Sequence, residues 1–237
     1  MRLGRERFDS GTPSGCLGGE RRHQVYRALK IRALLYRFHP GQHLAVVELS
    51  DQLKVSNTPV REALIRLHAE GHVAAIPSRG FFARELRLRE MQEIHDLMRV
   101  LLRHSLEAAL AGNAQLRSLP DPGTEPSIPC DPRTALALAR RTEAIFTDIA
   151  ALTGSDVVHR TVADLCERTH HIRRCAYRSA DLTLPLHSSL VGLIAGVTKR
   201  DGTGTIAAVE EYFGMIQAAL PVLVMRALAT SFAQDCT

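Results

Sequence analysis

The chain has little of what marks an extracellular, membrane or catalytic protein. Its five cysteines, Cys16, Cys130, Cys166, Cys175 and Cys236, are odd in number and scattered with no CxxC pair, so neither a disulfide framework nor a zinc knuckle is indicated. No unbroken apolar run reaches transmembrane length, and the opening residues, with Arg2, Arg5, Glu6, Arg7 and Asp9, lack the apolar core of a signal peptide. These absences predict a soluble, cytoplasmic protein with no membrane partner. There is no GxSxG, no phosphate loop and no HExxH, which leaves catalysis without a recognisable foundation. Beyond Lys54 the only lysine is Lys199, a poor provision for Schiff-base chemistry. Strand-like alternation is missing after residue 90.

What is present divides the chain. A hydrophobic content of 45% over 237 residues suffices for two modest domains with their own cores. The net charge of +5 is unevenly spread: residues 1–90 hold sixteen Lys and Arg against nine Asp and Glu, the remainder fourteen against sixteen. A polyanion-binding module joined to a near-neutral one accounts for that asymmetry. Residues 1–20, rich in Gly, Arg and Ser without periodicity, read as a disordered basic arm. Residues 21–86 read as the first domain, 87–92 as a linker and 93–232 as an all-helical second domain.

Within the first domain, VSNTPVREALIRLHAEGHV, residues 55–73, carries the most information. Ser, Asn or Thr followed by Pro marks a helix cap with proline in the first turn, where its missing N–H costs nothing. Val60, Ala63, Leu64 and Leu67 then keep a helical spacing, Arg61 and Arg66 fall outside that stripe, and Gly71 ends the helix. A longer helix over about 22–36 and a short one over 47–53 precede it. HVAAIPSRGFFARE follows and reads as a hairpin with a cationic tip at Arg79 and Gly80. Helix, short helix, tight turn, helix and hairpin make a winged helix-turn-helix, whose second paired helix enters the DNA major groove. Arg61 can grip guanine bidentately or clamp a phosphate, Asn57 can pair with adenine, the Ser56 and Thr58 hydroxyls suit phosphates, and Arg66 is expected to face the DNA as the second outward arginine. The plain alternative is that Arg61 and Arg66 are a solvated helix face.

In the second half, residues 93–112 repeat apolar side chains at helical spacing, and a loop with five prolines occupies 112–132. Asp131-Pro132, Ser155, Leu184-Pro185 and Asp201 open four further helices, ending near Thr153, Arg178, Lys199 and Ala229. The fold class is therefore mainly α: a winged helix-turn-helix with a small β-hairpin wing, then an antiparallel helical bundle. His170-His171 with Arg173-Arg174 reads as a solvated helix face.

The stretch from Val55 to Val73 resembles the recognition-helix signature of GntR-type bacterial transcription regulators, and Ile76 to Ala83 resembles their wing, the likeness spanning about residues 22–86. The resemblance implies DNA contacts at Thr58, Arg61, Arg79 and Gly80. Asn57 stands where the family usually has arginine, and Val47 where it usually has a polar or basic residue. An all-helical second domain resembles the FCD, or FadR-like, branch, in which an acidic residue and three histidines commonly hold a divalent metal. Along that likeness Glu143 takes the acidic position and His187 one histidine position, while Thr147 and Tyr212 replace the other two. The expectation is a degraded metal site and no cofactor, with His159, His170 and His171 as the substitutes to consider if a metal were found. Glu143, Thr147, His187 and Tyr212 would line a cavity for a small-molecule effector, with Met98 where the branch often has an inward arginine; the plain alternative is that His187 and Tyr212 are core side chains satisfying each other. As partners the resemblance implies a pseudopalindromic double-stranded operator, an effector and a second copy of the chain. A constitutive or architectural DNA binder, and an enzyme using the His187 cavity, are the competing readings.

Overall fold

The computed structural model describes residues 14–112, 119–128 and 130–232. The described residues form two compact units, one made of 14–33 with 42–83 and the other of 34–41 with described residues from 84 to 232. Of the arm expected over 1–20, residues 1–13 lie outside the described residues, and from Ser14 the chain is already helical.

In the first unit, α1 (Ser14–Leu34), α2 (Val46–Leu53) and α3 (Asn57–Ala69) enclose Val25, Leu29, Leu49, Val60, Ala63, Leu64 and Leu67. The turn between α2 and α3 is made by Lys54 in the left-handed region, its N–H bonding back to Asp51, followed by the Val55 N–H to the Ser50 carbonyl at 3.0 Å. Ser56 is extended before the first turn of α3, though its hydroxyl makes no capping bond. Gly71, at φ +75, closes α3: its N–H meets the His68 carbonyl at 2.9 Å and the His72 N–H meets that of Leu67 at 2.8 Å. These are the two bonds of a Schellman cap, which needs a residue free to adopt positive φ. The chain then enters β1 (Val73–Ile76), which pairs antiparallel with β2 (Gly80–Ala83), Val73 opposite Ala83 and Ile76 opposite Gly80.

The second unit is a bundle of α4 (Leu88–Ala111), α5 (Pro132–Ala151), α6 (Asp156–Ala176), α7 (Ala180–Lys199) and α8 (Gly202–Phe232). Asp131 caps α5 by accepting from the N–H groups of Arg133 and Thr134 at 2.7 and 3.1 Å, and Ser155 caps α6 through the Val158 N–H. Both starts agree with the sequence reading. Residues 88–92, expected as linker, are instead the opening turn of α4. α7 begins four residues before Leu184, because Ser179 supplies the first turn with a carbonyl acceptor and Pro185 is carried inside the helix. Next to the tight turn at Arg200, α7 and α8 approach so closely that a Cβ on Gly196 would stand 2.4 Å from the Thr205 hydroxyl. Among the described residues no strand follows residue 90.

One expectation needs amending. α7 and the 202–229 part of α8 are each long and apolar enough to cross a membrane by composition. The sequence criterion of an apolar run missed them because Asp181, Thr183, His187, Ser188 and Ser189 interrupt α7, and Glu210, Glu211, Gln217 and Arg226 interrupt α8. In this fold Leu186, Leu190, Leu193 and Val197 of α7 and Val209, Phe213, Ile216 and Leu220 of α8 are spent on the bundle core.

Candidate nucleic-acid interface and buried centre of the bundle

The outer surface of α3 is divided by what its neighbours claim. Arg66, expected among the DNA-facing residues, is turned to α1: its guanidinium lies 3.9 Å from the Tyr26 ring centre and its Nε donates to Glu70 Oε1 at 2.9 Å. Glu70 also accepts from the Tyr26 hydroxyl at 2.6 Å and from Lys30 Nζ at 3.2 Å. Burial pushes the Glu70 carboxyl up, but these hydrogen bonds outweigh it and hold the group below its ordinary value. Glu62 faces Arg22 of α1 at 3.5 Å. Arg66 thus cements α3 to α1. Asn57, Thr58 and Arg61 are exposed, and among the described residues no acid or acceptor engages the Arg61 side chain. Ser56 stands exposed just before them.

The wing places its cation by a tight turn. Ser78 adopts φ +61, the Arg79 N–H bonds the Ile76 carbonyl at 3.0 Å, and Gly80 takes φ +92. His43, bridged to Phe82, brings its Nε2 to 3.1 Å from where a Gly80 Cβ would be, so the positive φ calls for glycine there and any side chain would crowd the His43 ring. The Arg79 guanidinium sits 5.6 Å from the Phe82 ring centre. Arg61 and Arg79 are therefore two cations with different supports, one on a rigid helix and one on a hairpin tip.

In the bundle, four of the five residues expected to line a cavity belong to a buried polar centre or its margin. The centre is Arg173 of α6, 3% exposed, donating from Nη1 to Glu143 Oε1 at 2.7 Å and from Nη2 to the Thr169 hydroxyl at 2.9 Å. His170 Nδ1 meets the same Glu143 oxygen at 2.7 Å. Thr169 in turn reaches the Met98 sulfur at 3.9 Å, and Arg173 lies 5.8 Å from the Phe146 ring, against which Tyr212 packs edge-on. Burial works against the Arg173 charge, and the Glu143 carboxylate outweighs it, holding the guanidinium above its ordinary range. Burial likewise pushes the Glu143 carboxyl up, yet the hydrogen bond from His170 and the charge of Arg173 bring it below its usual value. The reading of His170, His171, Arg173 and Arg174 as a solvated face is thus corrected: Arg173 and His171 are buried, and His170 and Arg174 are partly buried. Thr147 is at the margin, its hydroxyl donating to the Glu143 and Ala144 carbonyls of its own helix at 2.9 and 3.0 Å.

Tyr212 and His187 point inward, at 3% and 4% exposure, and among the described residues the Tyr212 hydroxyl and His187 Nδ1 make no hydrogen bond of ordinary geometry. Burial raises the Tyr212 pKa and lowers that of His187. The charged groups felt by His187 are Glu125, Asp121 and Arg141, not Glu143, so His187 stands apart from the centre. Below Arg173, Cys166 is buried, its thiol pushed up to about 12, while its carbonyl accepts from Arg173 Nη1 at 3.4 Å.

These residues do not suit a divalent metal. The one carboxylate at the centre is already neutralised by a guanidinium, Thr147 satisfies itself on its own backbone, and among the described residues no three His, Cys, Asp or Glu side chains converge.

Residues 21–83 match the family of bacterial regulatory proteins called gntR. The chain is 28% identical over 187 residues to the Nta operon transcriptional regulator of Aminobacter aminovorans, covering 78% of this chain and 89% of that protein. It is 30% identical over 91 residues to the transcriptional repressor RspR of Escherichia coli K12, covering 38% of each. In three dimensions it resembles E. coli McbR/YncC with a TM-score of 0.58 at 20% identity, over 87% of this chain and 98% of that one. That likeness extends the agreement in fold from the winged domain through the helical bundle. The chain is a DNA-binding transcriptional regulator whose residues 21–83 form a gntR-family DNA-binding domain.

Proposed function

We propose that the chain is an effector-responsive repressor of the FCD branch, acting as a homodimer on a pseudopalindromic operator. The observation that carries the DNA half is Arg61 on the exposed face of α3, which meets no acid or acceptor among the described residues, flanked by Asn57 and Thr58 and accompanied by Arg79 on the wing. A helix of this kind fits the major groove, and two such helices about one DNA turn apart read two half-sites. RspR, similar over 91 residues, is named a repressor, which supports that sign of regulation.

Pairing through the bundle is supported by apolar side chains left in solvent on α4 and α8. Leu97 and Val100 are 46% and 53% exposed, Val222 and Met225 45% and 63%, and on α8 they continue a stripe begun by the exposed Gly214 and Ala218. Effector response is supported by the polar centre: among the described residues Tyr212 carries a buried hydroxyl with no ordinary hydrogen bond, beside the buried cation Arg173. Such groups favour a ligand that brings an acceptor. Coupling of about 1–3 kcal/mol between ligand and operator is the usual scale of allostery.

The test is footprinting on genomic fragments with and without a cell metabolite extract. Protection of discrete pseudopalindromes that the extract weakens is the expected outcome. Uniform shallow binding to all DNA would favour an architectural role, and operator binding indifferent to every extract fraction would favour a constitutive regulator.

A further inference from the structure

Once Glu62 is given to Arg22 and Arg66 to Tyr26 and Glu70, and once His68 Nδ1 is placed 3.1 Å from the Val73 carbonyl at the base of the wing, four substantial side chains remain on the open face of α3. Three are polar: Asn57, Thr58 and Arg61. The fourth is Ile65, 54% exposed, one helical turn beyond Arg61 on the same line. The buried side of α3 is already complete with Val60, Ala63, Leu64 and Leu67, so Ile65 has no part in the core. Scattered exposed apolar residues are ordinary on a protein surface. Here the residue is a stiff, β-branched one, set within the line of side chains that would face base edges.

Resting on the groove reading above, we infer that Ile65 is a specificity-determining residue that reads the 5-methyl group of thymine. That methyl is the one apolar feature that unmodified bases present in the major groove, and apolar side chains contact it. Four residues of helix advance about 6 Å, and base pairs succeed one another at about 3.4 Å. The thymine therefore lies within one or two base pairs of the base that Arg61 addresses, in each half-site. Arg61 supplies a hydrogen-bonded contact and Ile65 a dry one, so adjacent positions of the half-site are read by different physics.

The test begins with half-sites selected by the full-length wild-type protein from a randomised duplex library. Each thymine of the selected site is then replaced in turn by deoxyuridine, which removes the methyl and nothing else. Binding of wild type, Ile65→Ala, Ile65→Val and Arg61→Ala is measured by fluorescence anisotropy, with circular dichroism confirming that each variant is folded. For wild type, one thymine per half-site should lose about four-fold in affinity on replacement, the effect of one methyl withdrawn from water. Ile65→Ala should be indifferent at that position, Ile65→Val should keep part of the effect, and Arg61→Ala should retain it. Wild-type binding insensitive to every replacement, or Ile65→Ala losing as much as wild type, would overturn the inference while leaving the groove reading intact. Failure of the wild type to select any sequence would overturn both.

Discussion

Replacing Glu143 by glutamine keeps the shape of the side chain and removes the charge opposite Arg173. The guanidinium is 3% exposed and the Glu143 side chain 21% exposed, so water can compensate only a little of the loss. Breaking one partner of a buried ion pair costs about 3–5 kcal/mol, mostly because the remaining charge is stranded. The residual exposure of Glu143 places Glu143→Gln near the lower end, about 3 kcal/mol. For a unit of this size that corresponds to a fall in Tm of roughly 6–12 °C. Arg173→Met should cost a similar amount, because it leaves the carboxylate with His170 alone. The double variant has no stranded charge and should recover about 2 kcal/mol relative to the sum of the single effects. Urea unfolding of the full chain, followed by far-UV circular dichroism, measures all three. A Glu143→Gln loss below about 1 kcal/mol, or strict additivity in the double variant, would refute the assignment of this pair as the electrostatic centre of the bundle.

Elemental analysis of the purified protein should find no stoichiometric Zn, Ni or Mn, and chelators should leave its Tm unchanged, because the Glu143 charge is met by Arg173; about one tightly held metal per chain would contradict this. Arg61→Ala should cost about 1–3 kcal/mol on the operator and flatten discrimination at one base position per half-site, whereas Arg79→Ala should weaken all sequences alike and reduce the salt dependence by roughly one ion per half-site. Binding isotherms at two salt concentrations separate these outcomes, and an unaffected Arg61→Ala would remove α3 from the groove. Burial holds His95 to about 4, with its Nδ1 at 2.7 Å from the Met91 carbonyl. The unfolded chain takes up that proton near pH 6.5 and the folded one does not, so stability is full above about pH 6.5 and falls by up to about 3 kcal/mol on approach to pH 4. Acid titration of stability should show this slope together with that of His171, which burial also holds to about 4, and His95→Gln should remove its own share; an unchanged slope would assign the effect elsewhere.

The features legible in the sequence are those set by neighbouring residues. Asp131-Pro132 and Ser155 announce their helices because a cap acts within three residues, and Gly71 announces a stop because its conformation excludes most alternatives. Pro185 misled by the same logic: proline suits a first turn, but Ser179 starts the helix without a side-chain cap bond to advertise it. Arg66 could not be placed from local pattern, since its partner Tyr26 lies forty residues away in α1. The burial of Arg173 is more legible in the sequence than its charge suggests. It falls in line with Val162, Cys166 and Thr169, all buried, and a basic residue continuing a buried stripe is a signal in itself.

The thiol of Cys166 lies 3% exposed beneath Arg173, and its pKa near 12 leaves almost no thiolate at neutral pH. Alkylating reagents can therefore reach it only when the bundle opens, and its rate of labelling counts those openings. In the native chain this thiol is a clock for breathing of the helical unit, slowed by whatever binds and tightens the bundle around it.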